Sequence, residues 1–413
     1  MKKQRLHTYA ASFGGDLARK LLKEFSFHAS AVLDPFMGSG TSLVEALSAG
    51  SYATGIDVDP IACLISKTLT RQYSLVWLSE FYETTIMELK KLENELEALD
   101  INTCDFTHGS SFDLYDKSIQ IPNVPQIDYW FSKTQRIVLA VLVFHLHTLT
   151  DNRAYDIFAL SISSSIIRKW PNTLSSAMDI DHSRPHKVPP IRTTIEQQLG
   201  LFLRVFSTTI KVLKELVPIS ACWLAEGKVI QGSSEKILGT LENESIDLIL
   251  TSPPYVNAID YPRAHKFSQW WLYNGDQSWE RENYIGLRGT RGKNDLYLQD
   301  AHELAPKSLK KINWSKEEIN KAGLVHRYIC DMNKIIEGCY QVLKRDGELV
   351  FVLADNQIGN KIIPVTEIVA ELLTSKGFKS PKISYREIDH HRRRYPFNFK
   401  GIMKHEAIIV ASK

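Results

Sequence analysis

The chain has 413 residues, 44% of them apolar and 23% charged, and its 50 lysines and arginines against 47 aspartates and glutamates leave a net charge of +3. These are the proportions of a soluble globular protein with one large domain or two to three smaller ones, compatible with a polyanionic partner without requiring one. Five scattered cysteines (Cys63, Cys104, Cys222, Cys330, Cys339) without a CxxC pair exclude a disulfide scaffold, and no apolar run reaches membrane-spanning length. Met1-Lys2-Lys3 and the polar residues after it lack an apolar signal core, so a cytoplasmic location is expected.

In chain order, residues 16–24 have helical periodicity and lead into a strand at 31–34. Residues 42–47 are helical and stop at Gly50. Residues 52–57 read as a second strand, and Pro60 opens another helix at its first turn. This β-α-β-α beginning is that of a doubly wound α/β sheet. From about 71 to 225 the character changes. A long amphipathic helix over 77–99, apolar helical stretches in 133–168 and a Leu/Phe-patterned helix over 195–216 flank a basic loop, 168–192. This segment reads as a mostly α-helical insertion between the second and third strands. The sheet resumes at 228–231, 246–250 and 348–353. A helix at 364–376, a strand near 382–388 and a last strand at 407–410 complete it. The expected domains are therefore an α/β domain of 1–70 and 226–413 and a helical insertion of 71–225.

Two segments carry chemistry. Asp34-Pro35-Phe36-Met37-Gly38-Ser39-Gly40-Thr41 follows the first strand. Gly38 and Gly40 let backbone approach a ligand closely, Ser39 and Thr41 can cap the following helix, and the helix start presents N–H groups and a positive dipole end. Asp57 closes the second strand, where an acid can accept both hydroxyls of a ribose. Thr251-Ser252-Pro253-Pro254-Tyr255 follows the strand 246–250. There a serine oxygen and the Pro253 carbonyl are two acceptors on a loop stiffened by two prolines, with Tyr255 offering a flat face.

Together the segments resemble the S-adenosylmethionine-dependent amino-methyltransferases of nucleic acids, the DNA modification methylases of the N4-cytosine/N6-adenine type. The match to their Asp-Pro-Phe-x-Gly-Ser-Gly-Thr pattern covers Asp34, Pro35, Phe36, Gly38, Ser39, Gly40 and Thr41, with Asp57 as the acid ending the second strand. The resemblance extends over about 1–70 and 226–413, including the aromatic segment His7–Phe13 and the stretch from Val256 to Leu272. It implies a Rossmann-like methyltransferase sheet and S-adenosylmethionine held by Asp34, Phe36, Gly38, Gly40, Thr41 and Asp57. Asp34 is then expected to accept from the ammonium side, directly or through water. Where relatives carry Gly-Asp after the third strand, with the acid on the adenine amino group, this chain has Gly232-Ser233, and Ser233 is the weaker acceptor.

The resemblance further implies that Ser252, Pro253, Pro254 and Tyr255 form the catalytic loop, acting on the amino group of a base flipped from double-stranded DNA. Serine at the first motif position points to cytosine N4, whereas aspartate accompanies adenine N6. None of the cysteines follows proline, which argues against thiolate attack at cytosine C5. Adenine N6, amino methylation of RNA and a non-catalytic nucleic-acid-binding module stay open as alternatives. Phosphate contacts are expected from Arg288 and Arg291 in a Gly/Arg loop, from Arg392, Arg393 and Arg394 beside aromatics, and from the loop 168–192. Specificity is expected in the insertion and the 275–320 loops, and a restriction endonuclease is the expected companion. The histidine pairs His145/His147 and His390/His391 lack partners at metal spacing, so no metal is expected.

Overall fold

The computed structural model describes residues 6–9, 14–97, 106–107, 109–114, 117–124, 126–168, 171–177, 194–256, 260–273, 283–286, 298–315, 318–387 and 405–413. They form two compact units. One comprises Met1–Ala10, Pro60–Cys222 and Tyr261–Trp279; the other comprises Ala11–Asp59, Trp223–Asp260 and Glu280–Lys413. Residues 60–70 and 261–279, expected in the α/β domain, group instead with the helices. The physical reason is packing: the helices Pro60–Leu69 and Tyr261–Leu272 both lie against the helix Asn152–Ile166.

The second unit is built on seven strands: β1 (Ala31–Asp34), β2 (Tyr52–Asp57), β3 (Lys228–Gln231), β4 (Ile246–Thr251), β5 (Leu343–Leu353), β6 (Lys382–Glu387) and β7 (His405–Ser412). Their order is β6-β7-β5-β4-β1-β2-β3. The β1/β2, β1/β4, β2/β3 and β4/β5 pairs are parallel, and β7 runs antiparallel to both β5 and β6. Val32, Leu248, Leu250, Val350 and Val352 alternate with Leu33, Ile249, Leu349, Phe351 and Leu353, and all are buried. A parallel strand covered on both faces must read as an unbroken apolar run, and these do. The second set joins one core with the helices Ile319–Val342 and Val365–Ser375. Among the elements that escaped the sequence pattern are the 24-residue helix Ile319–Val342 and the short hairpin Asn356–Ile358/Lys361–Ile363. β5 also begins earlier than expected, at Leu343, because its register against β4 shifts between Ile246 and Leu248.

The chain leaves β1 toward β2 and β3 and later returns to the other side of β1 as β4 and β5. The order therefore reverses between β1 and β4, and ligands of open α/β sheets bind outside the carboxyl ends at such a reversal.

The helical unit owes its elements to capped starts. Ser132 and Gln135 form a reciprocal capping box for Lys133–Thr148, Asp151 accepts from Arg153 and Ala154 N–H groups at Asn152–Ile166, and Thr194 accepts from Gln197 at Ile195–Ser220. The last helix continues past its expected end at 216 and carries Pro218 in its final turns. Phe202 and Phe206 stack in this unit's own core, with Phe158 tilted against Phe202. Among the described residues no helix is long and apolar enough to cross a membrane.

Candidate active site

β1 ends at Asp34, which is 2% exposed. One carboxylate oxygen accepts from the Phe36 N–H at 2.9 Å and the other from the Ser42 hydroxyl. An aspartate that takes the N–H two residues on builds the turn out of its own side chain. Asp34 thus ties the strand end to the helix Thr41–Ser48. Burial pushes its carboxyl up to about 6, with the Ser42 and Thr251 hydroxyls and the Phe36 N–H opposing. Gly38 and Gly40 have φ of 48° and 72°, the left-handed region that glycine enters at least cost. Gly40 is the N-cap of the helix and no side chain caps it, so Ser39 and Thr41 do not serve as expected; their hydroxyls lie 3.4 Å apart.

The turn is locked to β2 by Asp57. One oxygen of this half-buried carboxylate accepts from the Gly38 N–H and the other from the Asp59 N–H, each at 2.9 Å. Two backbone donors fix the plane of the carboxylate before any ligand arrives. Burial, then the neighbouring Asp59 carboxylate, raise the Asp57 carboxyl to about 7. The next strand adds a third anchor. The Gly232 N–H donates to the Asp57 carbonyl at 2.8 Å, and the Ser234 hydroxyl donates to the Pro35 carbonyl. Ser233, half-buried between them, is the N-cap of the helix Ser234–Leu238 without a side-chain cap bond. Asp34, Phe36, Gly38, Gly40, Thr41, Asp57 and Ser233 are therefore brought together at the carboxyl ends of β1, β2 and β3.

β4 delivers the second motif beside the first, since Leu33 pairs with Ile249 in register. Beyond Thr251 the chain runs through half-buried Ser252, buried Pro253, and half-buried Pro254 and Tyr255. Burial and the Glu406 carboxylate push the Tyr255 phenol up from its ordinary value, with Ser252 and Arg386 opposing. Arg386 and Glu406 face each other across β6 and β7 and form an ion pair, the guanidinium Nε at 2.8 Å. Sequence reasoning missed this pair, because nothing local in either strand signals a partner near residue 255. It also missed Ser42, Asp59 and Ser234, whose bonds are made only once the strands are assembled. Arg288, Arg291, Arg392, Arg393 and Arg394 lie outside the described residues.

A glycine turn and a proline loop on adjacent carboxyl ends, at the reversal of a mostly parallel sheet, give a Rossmann-like fold of the methyltransferase kind. Residues 1–68 match the model of a DNA methylase family, the N6/N4 methylases. The type II methyltransferase M.MvaI of Kocuria varians is 23% identical over 94% of this chain and 84% of its own length. M.BsoBI of Geobacillus stearothermophilus, also a type II methyltransferase, is 24% identical over 92% of this chain and 80% of its own. M.MjaII of Methanocaldococcus jannaschii reaches 31% identity over 22% of this chain and 17% of its own. The chain is thus similar to type II DNA methyltransferases over most of its length, and its first 68 residues are similar to the N6/N4 DNA methylases.

Proposed function

We propose that the chain methylates the exocyclic amino group of a base flipped out of double-stranded DNA, and that the base is cytosine, modified at N4. The observation that carries this reading is the placement of the Asp34–Thr41 turn and the Ser252–Tyr255 loop on the adjacent carboxyl ends of β1 and β4. The cofactor's donor and acceptor needs fit the residues present. Asp57, its carboxylate plane set by Gly38 and Asp59, would accept the ribose hydroxyls. Gly38, Gly40 and Thr41 would let it approach the backbone, Phe36 would pack against it, and Ser233 would face the adenine amino group. Asp34 supports this cradle from beneath. S-adenosylmethionine bound there supplies a methyl group on a sulfonium centre.

The chain's own residues prepare the nucleophile. The amino nitrogen of cytosine is poor because its lone pair is delocalised into the ring. Ser252 Oγ and the Pro253 carbonyl accept its two N–H groups and draw the nitrogen toward a pyramidal geometry, while Pro253 and Pro254 keep both acceptors in place. Tyr255 stacks on the extruded base. Ser252 at the first motif position supports cytosine over adenine. Arg288, Arg291 and Arg392–Arg394 are assigned to phosphates, and sequence recognition to the helical insertion and the 275–320 loops. The type II relatives support a role as the modification half of a cytoplasmic restriction system with a cognate endonuclease.

Nucleoside mass spectrometry of DNA from cells expressing the chain, beside a Tyr255→Ala control, tests the reading. N4-methylcytosine with the intact chain alone is the expected result. N6-methyladenine instead would overturn the base, and no mark on DNA would overturn the substrate.

A further inference from the structure

The far side of the Ser-Pro-Pro-Tyr loop is held by two residues that no motif includes. Asn356 begins the short hairpin Asn356–Ile358/Lys361–Ile363, just beyond the carboxyl end of β5. Its side-chain Nδ2 donates to the Val256 carbonyl, immediately after Tyr255. Its Oδ1 accepts from the Gln357 N–H at 2.8 Å, so flipping the amide would lose both bonds at once. The hairpin is itself anchored, because the Asp355 carboxylate accepts from the Thr366 N–H at 2.9 Å at the head of the helix Val365–Ser375.

Gly286 presses on the loop at the neighbouring peptide. A β-carbon at this position would lie 2.9 Å from the Tyr255 carbonyl oxygen and 3.4 Å from the Val256 α-carbon, and φ is +76°. No side chain fits there without displacing backbone. Tyr284 beside it is buried, and Ile285 packs on the core of the sheet, so Gly286 is not free to retreat.

We infer that Asn356 and Gly286 are positioning residues for methyl transfer, fixing the peptides of Tyr255 and Val256 so that the acceptors of the loop keep their aim. The inference rests on the methyltransferase reading. Two prolines stiffen the loop at 253 and 254, but proline limits only its own φ and that of its predecessor's region. After Tyr255 the chain needs an external hold, and a side-chain amide and a close-packed glycine supply it. A misplacement of about 1 Å in a group that positions a reacting atom costs on the order of 10²-fold in rate. Neither residue contacts the cofactor cradle at Asp34, Gly38 or Asp57, so the cost falls on turnover.

The test uses the purified full-length chain, radiolabelled S-adenosylmethionine and DNA from a host without the gene. Asn356→Asp keeps the shape and replaces the donor by an acceptor facing the Val256 carbonyl; Gly286→Ala probes the second contact independently. Expected is a fall in kcat of about 10²-fold for each, with the Kd for S-adenosylmethionine close to wild type in the folded variants. Variants that keep wild-type kcat, or lose cofactor affinity instead of kcat, would overturn the inference while leaving the activity standing. If one variant does not fold, the other decides by the same criteria. A wild-type chain that transfers no methyl group to DNA would overturn the function and the positioning role together.

Discussion

Ser233 shows how one atom can be separated from the architecture that surrounds it. It occupies the helix head beside Asp57, its carbonyl accepts from the Lys236 and Ile237 N–H groups, and its hydroxyl caps nothing. An aspartate there would keep those backbone bonds and is a good N-cap in its own right, so the change carries little structural cost. A carboxylate is about twice as strong an acceptor as a hydroxyl. Ser233→Asp is therefore expected to tighten S-adenosylmethionine binding by about fivefold, equivalent to about 1 kcal/mol, as measured by calorimetric titration. An unchanged Kd would mean that Ser233 does not face the adenine amino group.

At the scale of elements, the capped helices offer the cleanest measurement. In Lys133–Thr148 the Ser132 hydroxyl accepts from the Gln135 N–H at 3.3 Å while the Gln135 side chain accepts from the Ser132 N–H at 2.8 Å. Ser132→Ala removes half of that box and is expected to cost about 1 kcal/mol in urea unfolding, without changing cofactor affinity. A cost near zero would show that packing alone sets this helix start. The same elements show what could be read in advance. β1 and β4 were legible because strands buried on both faces are largely apolar runs, and Asp34–Thr41 was legible because its bonds are local. The helix Ile319–Val342 was not, since Gly323 and Gly338 interrupt its pattern. Gly338 is there because a β-carbon would lie 2.8 Å from that of Leu238 on the neighbouring helix, a fact of tertiary contact. Asn356 and Gly286 were illegible for the same reason. They meet Tyr255 and Val256 from 30 to 100 residues away, and no spacing rule spans such a gap.

Across the molecule, buried titratable groups pull stability in opposite directions with pH, and the helix Ile319–Val342 holds one of each sign. His326 is 1% exposed, and neither of its ring nitrogens has a hydrogen-bond partner among the described residues. Burial, then His302 across from it, push its pKa down to about 4 from 6.5. Below pH 6.5 the unfolded chain takes a proton here that the native chain refuses, so stability falls as pH falls from about 6.5 to about 4. Asp331 is raised to about 6 from 3.8, chiefly by burial and further by Glu235, against Arg327 and Lys334. Between those values the native chain keeps a proton that the unfolded chain releases, so this group lowers stability as pH rises. The two slopes partly cancel over the shared window. Removing one should expose the other. His326→Phe is expected to make the stability slope between pH 4 and 6 more negative, and Asp331→Asn to make it more positive, both read from urea midpoints at several pH values. The same slope in wild type and both variants would mean that neither group differs in pKa between the folded and unfolded chains. His326→Phe also removes an imidazole with no hydrogen-bond partner among the described residues, so its midpoint at pH 7 should lie above that of wild type.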